Sequence, residues 1–215
     1  GGIGIRYEDE KQIVLYDYAQ GILKSLSGLD VTIVCEPGRF ITGAAGVFLT
    51  RVLYEKQNCG KRFVIVDGAM NDLIRPSLYG AHHAIEIVSA SESINLDEPG
   101  VSEVNLGGRS SDQTSGSCAD EKILGGANLA EAGLCDVVGP ICESGDFLAK
   151  GVSLPSLQSG DLLAIKSAGA YGFSMSSNYN TRCRAAEIAV YDGQDRLIRK
   201  RESFDELIAL EKDLV

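Results

Sequence analysis

Four short stretches of this sequence combine residue types that can do chemistry. Gly1-Gly2-Ile3-Gly4 crowds glycines as a backbone does when its N–H groups close on an anion. Such a turn ordinarily follows a strand, and none precedes it here; a terminal scar would account for two glycines but not for Ile3-Gly4-Ile5. Glu36-Pro37-Gly38-Arg39 fixes a tight turn from which Arg39 can pair a carboxylate or phosphate bidentately. The alternative is a plain turn with a surface arginine. In Gly139-Pro140-Ile141-Cys142-Glu143-Ser144-Gly145-Asp146 a thiol stands beside a carboxylate between glycines. Cys142 could donate a proton there and Glu143 could hold an ammonium, against the alternative of a buried structural cysteine. The fourth stretch runs from Gly169 to Asn180; its small residues permit close backbone approach and Tyr171 offers a ring with a polar tip. A kinked strand with core aromatics is the competing reading.

Two further patterns carry less weight. Arg75-Pro76-Ser77-Leu78-Tyr79-Gly80 is a turn with a cation and a phenol four residues apart. His82 and His83 are neighbours, would face opposite sides of a strand, and are taken as structural or solvated rather than catalytic. The six cysteines, at 35, 59, 118, 135, 142 and 183, form no C-x-x-C pair and have no histidine at zinc-finger spacing, so no metal site is expected. A chain of 215 residues can hold itself together by burial without disulfides. The reading is a reducing, cytoplasmic setting with each cysteine a small buried hydrophobe.

The elements that must position these residues fall into two textures. Residues 8–27 place Ile13, Tyr16, Ala19, Leu23 and Leu26 on one helical face, with Gly28 to end the helix. Val31–Cys35 is a β-branched apolar run that reads as a buried parallel strand. Together with the glycine loop and Glu36–Arg39, these look like the closing units of an α/β barrel, where chemistry sits at the C-terminal ends of strands. About 45 residues cannot close eight strands, so residues 1–45 are read as the C-terminal remnant of a barrel belonging to a longer chain. After Gly46 the pattern turns to hairpins: 47–56 with 61–67 across Gln57-Asn58-Cys59-Gly60, and 186–191 with 196–199 around Asp192-Gly193. Ser203 and Glu206 have capping-box spacing ahead of a short terminal helix. Residues 46–215 are therefore expected to be a mainly β domain, sandwich- or barrel-like, interrupted at 89–134 by a Ser/Gly-rich acidic excursion. From Glu86 to Glu121 that stretch sets eight acids against Arg109 alone.

Composition narrows the function. With 44% hydrophobic residues and a net charge of -10, the chain has a core's worth of apolar side chains and no basic rail for nucleic acid. No apolar run approaches the ~20 residues of a membrane span.

Taken together, Gly1–Ile5, Glu36–Arg39, Asp67–Gly80, Asp136–Phe147, Ser167–Asn180 and the terminal Phe204-Asp205-Glu206-Leu207 occur in the order found in the C-terminal half of diaminopimelate decarboxylases. The sequence resembles that family over nearly its whole length apart from residues 89–134. The resemblance implies a pyridoxal 5'-phosphate enzyme with an alanine-racemase-like barrel followed by a β domain. It would decarboxylate meso-2,6-diaminopimelate to L-lysine and CO2, the last step of lysine biosynthesis. It further implies that Gly2 and Gly4, with Glu36, Pro37, Gly38 and Arg39, hold the cofactor phosphate, and that Tyr171 lies against cofactor and substrate. Arg39, Arg75 and Tyr79 would grip the substrate. Cys142 would be the proton donor and Glu143 the ammonium partner, both reaching the site from the other subunit of a homodimer. These residue types suit the task, because the cofactor ring accepts the electron pair left by CO2 and a thiol titrates near enough to neutrality to protonate the carbon left behind.

Three departures from the family pattern stand out. The family's Schiff-base lysine lies early in the barrel, and none of the lysines present occupies that motif, so the chain alone is expected to be inactive. The acidic stretch reads as an insertion leading toward Cys142. Cys183 stands between Arg182 and Arg184 where proline is common. A decarboxylase of another basic amino acid, a non-catalytic binding or regulatory homologue, and an isolated β module that only dimerises remain as alternatives.

Overall fold

The alternation of Val64 and Val66 with exposed or half-buried neighbours shows which side of the second strand faces the core. A computed structural model describes residues 1–7, 10–88, 133–212 and 214. Its strands are β1 (Phe48–Asn58), β2 (Lys61–Val66), β3 (Ile85–Val88), β4 (Gly133–Val138), β5 (Phe147–Leu154), β6 (Leu162–Ile165), β7 (Glu187–Tyr191) and β8 (Gln194–Arg199). The first six form one sheet in the order β3-β6-β1-β2-β4-β5, and β7-β8 is a separate hairpin. All pairings are antiparallel except β2 with β4. β1 serves both flanks: Phe48–Arg51 pairs β6, whereas Val52–Asn58 pairs β2 across a bulge between Val52 and Tyr54. Side chains from the two flanks, Leu163 and Ile165 on one and Val137, Leu148 and Leu154 on the other, meet in a single core with Val52, Leu73 and Leu157. The sheet is thus curled on itself, and each such side chain contributes roughly 1.5–3 kcal/mol by leaving water. Beneath it Arg62 pairs Glu55 and donates to the Leu154 carbonyl at 2.7 Å, tying the β1-β2 hairpin to the end of β5.

Both hairpins form as the sequence predicts. Their turns are two residues each, Cys59-Gly60 (φ 47° and 76°) and Asp192-Gly193 (φ 52° and 72°), so the left-handed pair that matches strand twist is present in both. The first link is shorter than the four residues expected, because Gln57 and Asn58 already pair with Arg62 and Lys61. Ser203 caps a terminal helix, Phe204–Leu207, through the reciprocal bonds of a capping box.

The segment before Gly46 departs from expectation. Its helix α1 spans Leu15–Ser25 rather than 8–27. Ile13 lies toward Gly4, whose added Cβ would sit 3.8 Å from it, and Val14 has no side chain that can cap. Residues 31–35 are not a strand. A parallel strand requires neighbours on its edges, and no other described strand pairs with these residues. α1 buries no residue, and Val14, Leu15, Tyr16, Leu29, Val31 and Val34 are exposed. A second helix, α2 (Gly38–Thr42), follows, and a third, α3 (Arg75–Tyr79), stands where the sequence reads as a turn. The cysteines also depart from the buried-hydrophobe reading. Cys135 is buried, but Cys35, Cys59 and Cys142 are exposed and Cys183 is half-buried, all as free thiols. The acidic excursion lies outside the described residues except for Gly133 and Leu134, which open β4. No described helix is long and apolar enough to cross a membrane.

Candidate active site

The site is assembled by glycine contacts that no side chain could replace. A Cβ on Gly169 would collide with the Thr42 carbonyl oxygen, and one on Gly46 would lie 2.6 Å from the Gly169 nitrogen. Ala168 N–H donates to Gly46 O at 2.9 Å and Gly169 N–H to Gly43 O at 3.1 Å, so the end of α2 is locked against the start of the Tyr171 loop. Gly172 packs against the Ala168 carbonyl, and the bend leaves Tyr171 at φ 61°, a left-handed conformation uncommon for a tyrosine. Two 3₁₀ turns, Phe173–Met175 and Tyr179–Thr181, replace the kinked strand considered from sequence, and Tyr171 is half exposed rather than a core aromatic.

This junction brings together residues far apart in the chain. Arg75 is 6% exposed, and its guanidinium carbon lies 5.7 Å from the Tyr7 ring centroid and 6.0 Å from that of Tyr171. Arg75 Nη1 donates to Tyr7 Oη at 2.8 Å, and Arg39 Nη1 approaches the same oxygen at 3.5 Å. His83, 1% exposed, stands 3.3 Å from Arg75 Nη1 through Nε2 and 2.8 Å from the Lys166 carbonyl through Nδ1. Its ring meets Tyr7 edge-on at 5.7 Å. Burial first, then the nearby Arg75 and His82 charges, push His83 below its ordinary value, although the Lys166 bond opposes them. Gly80, at φ 60°, ends α3 in the left-handed region and turns the chain back so that His83 can reach Arg75.

A second cluster lies on the Gly139–Asp146 loop. Asp146 Oδ1 accepts from Met70 N at 2.7 Å and Oδ2 from Ile141 N at 2.9 Å, while Gly139 leaves no room for a Cβ against that carboxylate. Burial raises the Asp146 carboxyl above its usual range, with these two bonds pulling the other way. Ser77 Oγ on α3 donates to Gly145 O at 2.6 Å. The loop backbone is therefore pinned, while Cys142 and Glu143 face outward. Glu143 accepts from Gly145 N–H at 3.1 Å and from Tyr179 Oη at 3.1 Å. These bonds, the Gly145 amide foremost, hold its carboxyl below the usual range, so it stays an anion.

Of the expected residues, Arg39, Arg75 and Tyr171 converge. Gly1 lies beside Glu36, whose carbonyl oxygen would be 3.3 Å from an added Cβ, whereas a Cβ on Gly2, at φ 91°, would lie 3.9 Å from Tyr18 Oη. A glycine turn of this kind presents backbone N–H donors that suit a phosphate. Cys142 and Glu143 make no hydrogen bond or ring contact with Arg39, Arg75 or Tyr171 among the described residues, and Tyr79 is exposed without a bond to Arg75. Tyr7 is not singled out by the sequence, and His83 reads there as structural or solvated. A tyrosine after a glycine loop carries no spacing signal, and the His82-His83 pair sits in coil rather than on a strand.

Comparison with known proteins adds the following. Residues 13–169 match the model for the pyridoxal-dependent decarboxylase C-terminal sheet domain. A diaminopimelate decarboxylase of Campylobacter jejuni is 52% identical over 213 residues, 99% of this chain and 44% of that protein. One from Helicobacter pylori strain J99 is 48% identical over 98% of this chain and 43% of its own length. The crystal structure of a Helicobacter pylori diaminopimelate decarboxylase complexed with L-lysine superposes with a TM-score of 0.76 at 45% identity, covering all of this chain and 44% of that one. The chain thus spans less than half the length of the curated relatives it matches.

Proposed function

Because this chain belongs to the pyridoxal-dependent decarboxylases, through their C-terminal sheet domain, we propose that it forms the C-terminal half of an enzyme that decarboxylates meso-2,6-diaminopimelate to L-lysine. The observation that carries the reading is that Arg39 and Arg75 both reach the Tyr7 phenol while Arg75 also lies against the Tyr171 ring, from segments more than thirty residues apart. Pyridoxal phosphate, when bound, supplies the electron sink for loss of CO2. Gly2, Gly4 and Glu36–Arg39 would hold its phosphate, and Tyr171 would lie along its ring. Arg75, with Arg39 and Tyr79, would grip the substrate carboxylate remote from the reacting carbon.

Glu143, kept anionic by its hydrogen bonds, suits the remote ammonium. Cys142 is exposed on a pinned loop and suits delivery of a proton into the site of a second subunit. We therefore propose a homodimer whose site is shared across the interface, working in the cytoplasm. Residues 1–45 would complete the barrel and 46–215 form the β domain. The 215 residues by themselves, without the family's barrel lysine, would not turn over. The test is lysine release from diaminopimelate by the full-length PLP-loaded parent, set against ornithine, arginine and lysine as substrates. Faster turnover of any of those three would move the assignment to another basic amino acid.

A further inference from the structure

Arginine can only donate hydrogen bonds and a carbonyl can only accept them, and together these facts fix the state of His83. Its Nδ1 must carry the proton that goes to the Lys166 carbonyl at 2.8 Å, so Nε2 presents a lone pair to Arg75 Nη1 at 3.3 Å. The other Nη1 proton goes to Tyr7 Oη at 2.8 Å. Both protons of Nη1 are thereby engaged. Nε and Nη2 meet no acceptor among the described residues, and they form the edge of a guanidinium that pairs a carboxylate with two parallel bonds. The Lys166 carbonyl is itself held at the end of β6, since Lys166 N–H donates to Ala84 O at 2.8 Å.

We propose that His83 is a positioning residue: by accepting from Nη1 it orients Arg75 so that its Nε/Nη2 edge reads a carboxylate on the substrate. The inference rests on the assignment of Arg75 to the substrate's remote carboxylate and adds the device that aims it. Burial of His83 and its place against a cation both favour the neutral ring that this role needs.

The experiment is calorimetric titration of the full-length PLP-loaded parent with L-lysine, which retains that carboxylate, and with cadaverine, which lacks it. His83→Asn keeps a group near Nδ1 but removes the acceptor at Nε2. It is expected to weaken lysine binding about 10-fold or more, on the scale of a charge-assisted hydrogen bond, with cadaverine changed less than about 2-fold. His83→Gln, whose amide oxygen can reach the Nε2 position, is expected to restore lysine affinity to within about 3-fold. Equal weakening of both ligands would mean that His83 only supports the fold, and would overturn the proposal. So would unchanged lysine affinity in His83→Asn when Arg75→Met abolishes it, an outcome that leaves the Arg75 assignment standing. Unchanged lysine affinity in Arg75→Met would remove that assignment and this inference with it. Should His83→Asn not fold, Tyr7→Phe removes the other acceptor of Nη1 and must give the same lysine-selective loss; its absence overturns the proposal equally.

Discussion

Arg75 opens the short helix α3, the Cys142 loop is bonded to that helix through Ser77, and the chain treats the two in opposite ways. Arg75 is walled in by Tyr7, Tyr171 and His83, with its Nη1 held by two hydrogen bonds. At the Cys142 loop the backbone is pinned through Asp146 and Ser77 while the reactive side chains are left outside. A group that must recognise a ligand is best rigidified by its own chain, where preorganisation lowers the cost of binding. If, as proposed, Cys142 and Glu143 serve a neighbouring molecule's site, a rigid base and an exposed tip suit that task.

The comparison can be broken at several points, all in the full-length parent. Gly169→Ala drives a methyl into the Thr42 carbonyl and separates α2 from the Tyr171 loop. We expect a loss of about 3 kcal/mol in urea unfolding, at the upper end of overpacking costs, together with weaker PLP retention. An unchanged midpoint would show that the junction is not rigid. Cys142→Ala should slow turnover by roughly 10²-fold, the scale of a lost general acid, with the PLP absorbance intact. Wild-type turnover would remove the thiol from the chemistry. Asp146→Asn places an NH2 against one of two backbone N–H groups, an unsatisfied pairing that costs about 1–3 kcal/mol. The loss should appear as lower kcat together with weaker lysine binding, because Cys142 and Glu143 both stand on that loop. Tyr179→Phe removes one of the bonds to Glu143 and should raise KM for diaminopimelate by about 3-fold, a lost exposed hydrogen bond.

The last effect is the smallest and concerns pH. His83 sits lower in the folded protein than in the unfolded chain, so the fold favours its neutral form. Its contribution is therefore complete above its ordinary value near ~6.5 and is lost as pH falls from there toward the folded value. The groups facing it are Arg75, His82, the Tyr7 ring and the Lys166 carbonyl. Urea midpoints at pH 7 and pH 5 should fall further for the wild type than for His83→Gln, and parallel falls would show that another group governs the acid limb.

Much of the molecule is legible in the residues alone, where structure is decided within a few positions. The Cys59-Gly60 and Asp192-Gly193 turns and the Ser203–Glu206 capping box follow from local backbone preference. Tertiary structure decided the rest, because it depends on what a segment touches. Residues 31–35 have the composition of a buried strand, yet pair with no other described strand. The aim of Arg75 depends on a phenol 68 residues before it and an imidazole 8 residues after it, a meeting that no linear spacing encodes. Hydrogen-bond direction and steric exclusion act through space, and only the folded chain brings those atoms within their reach.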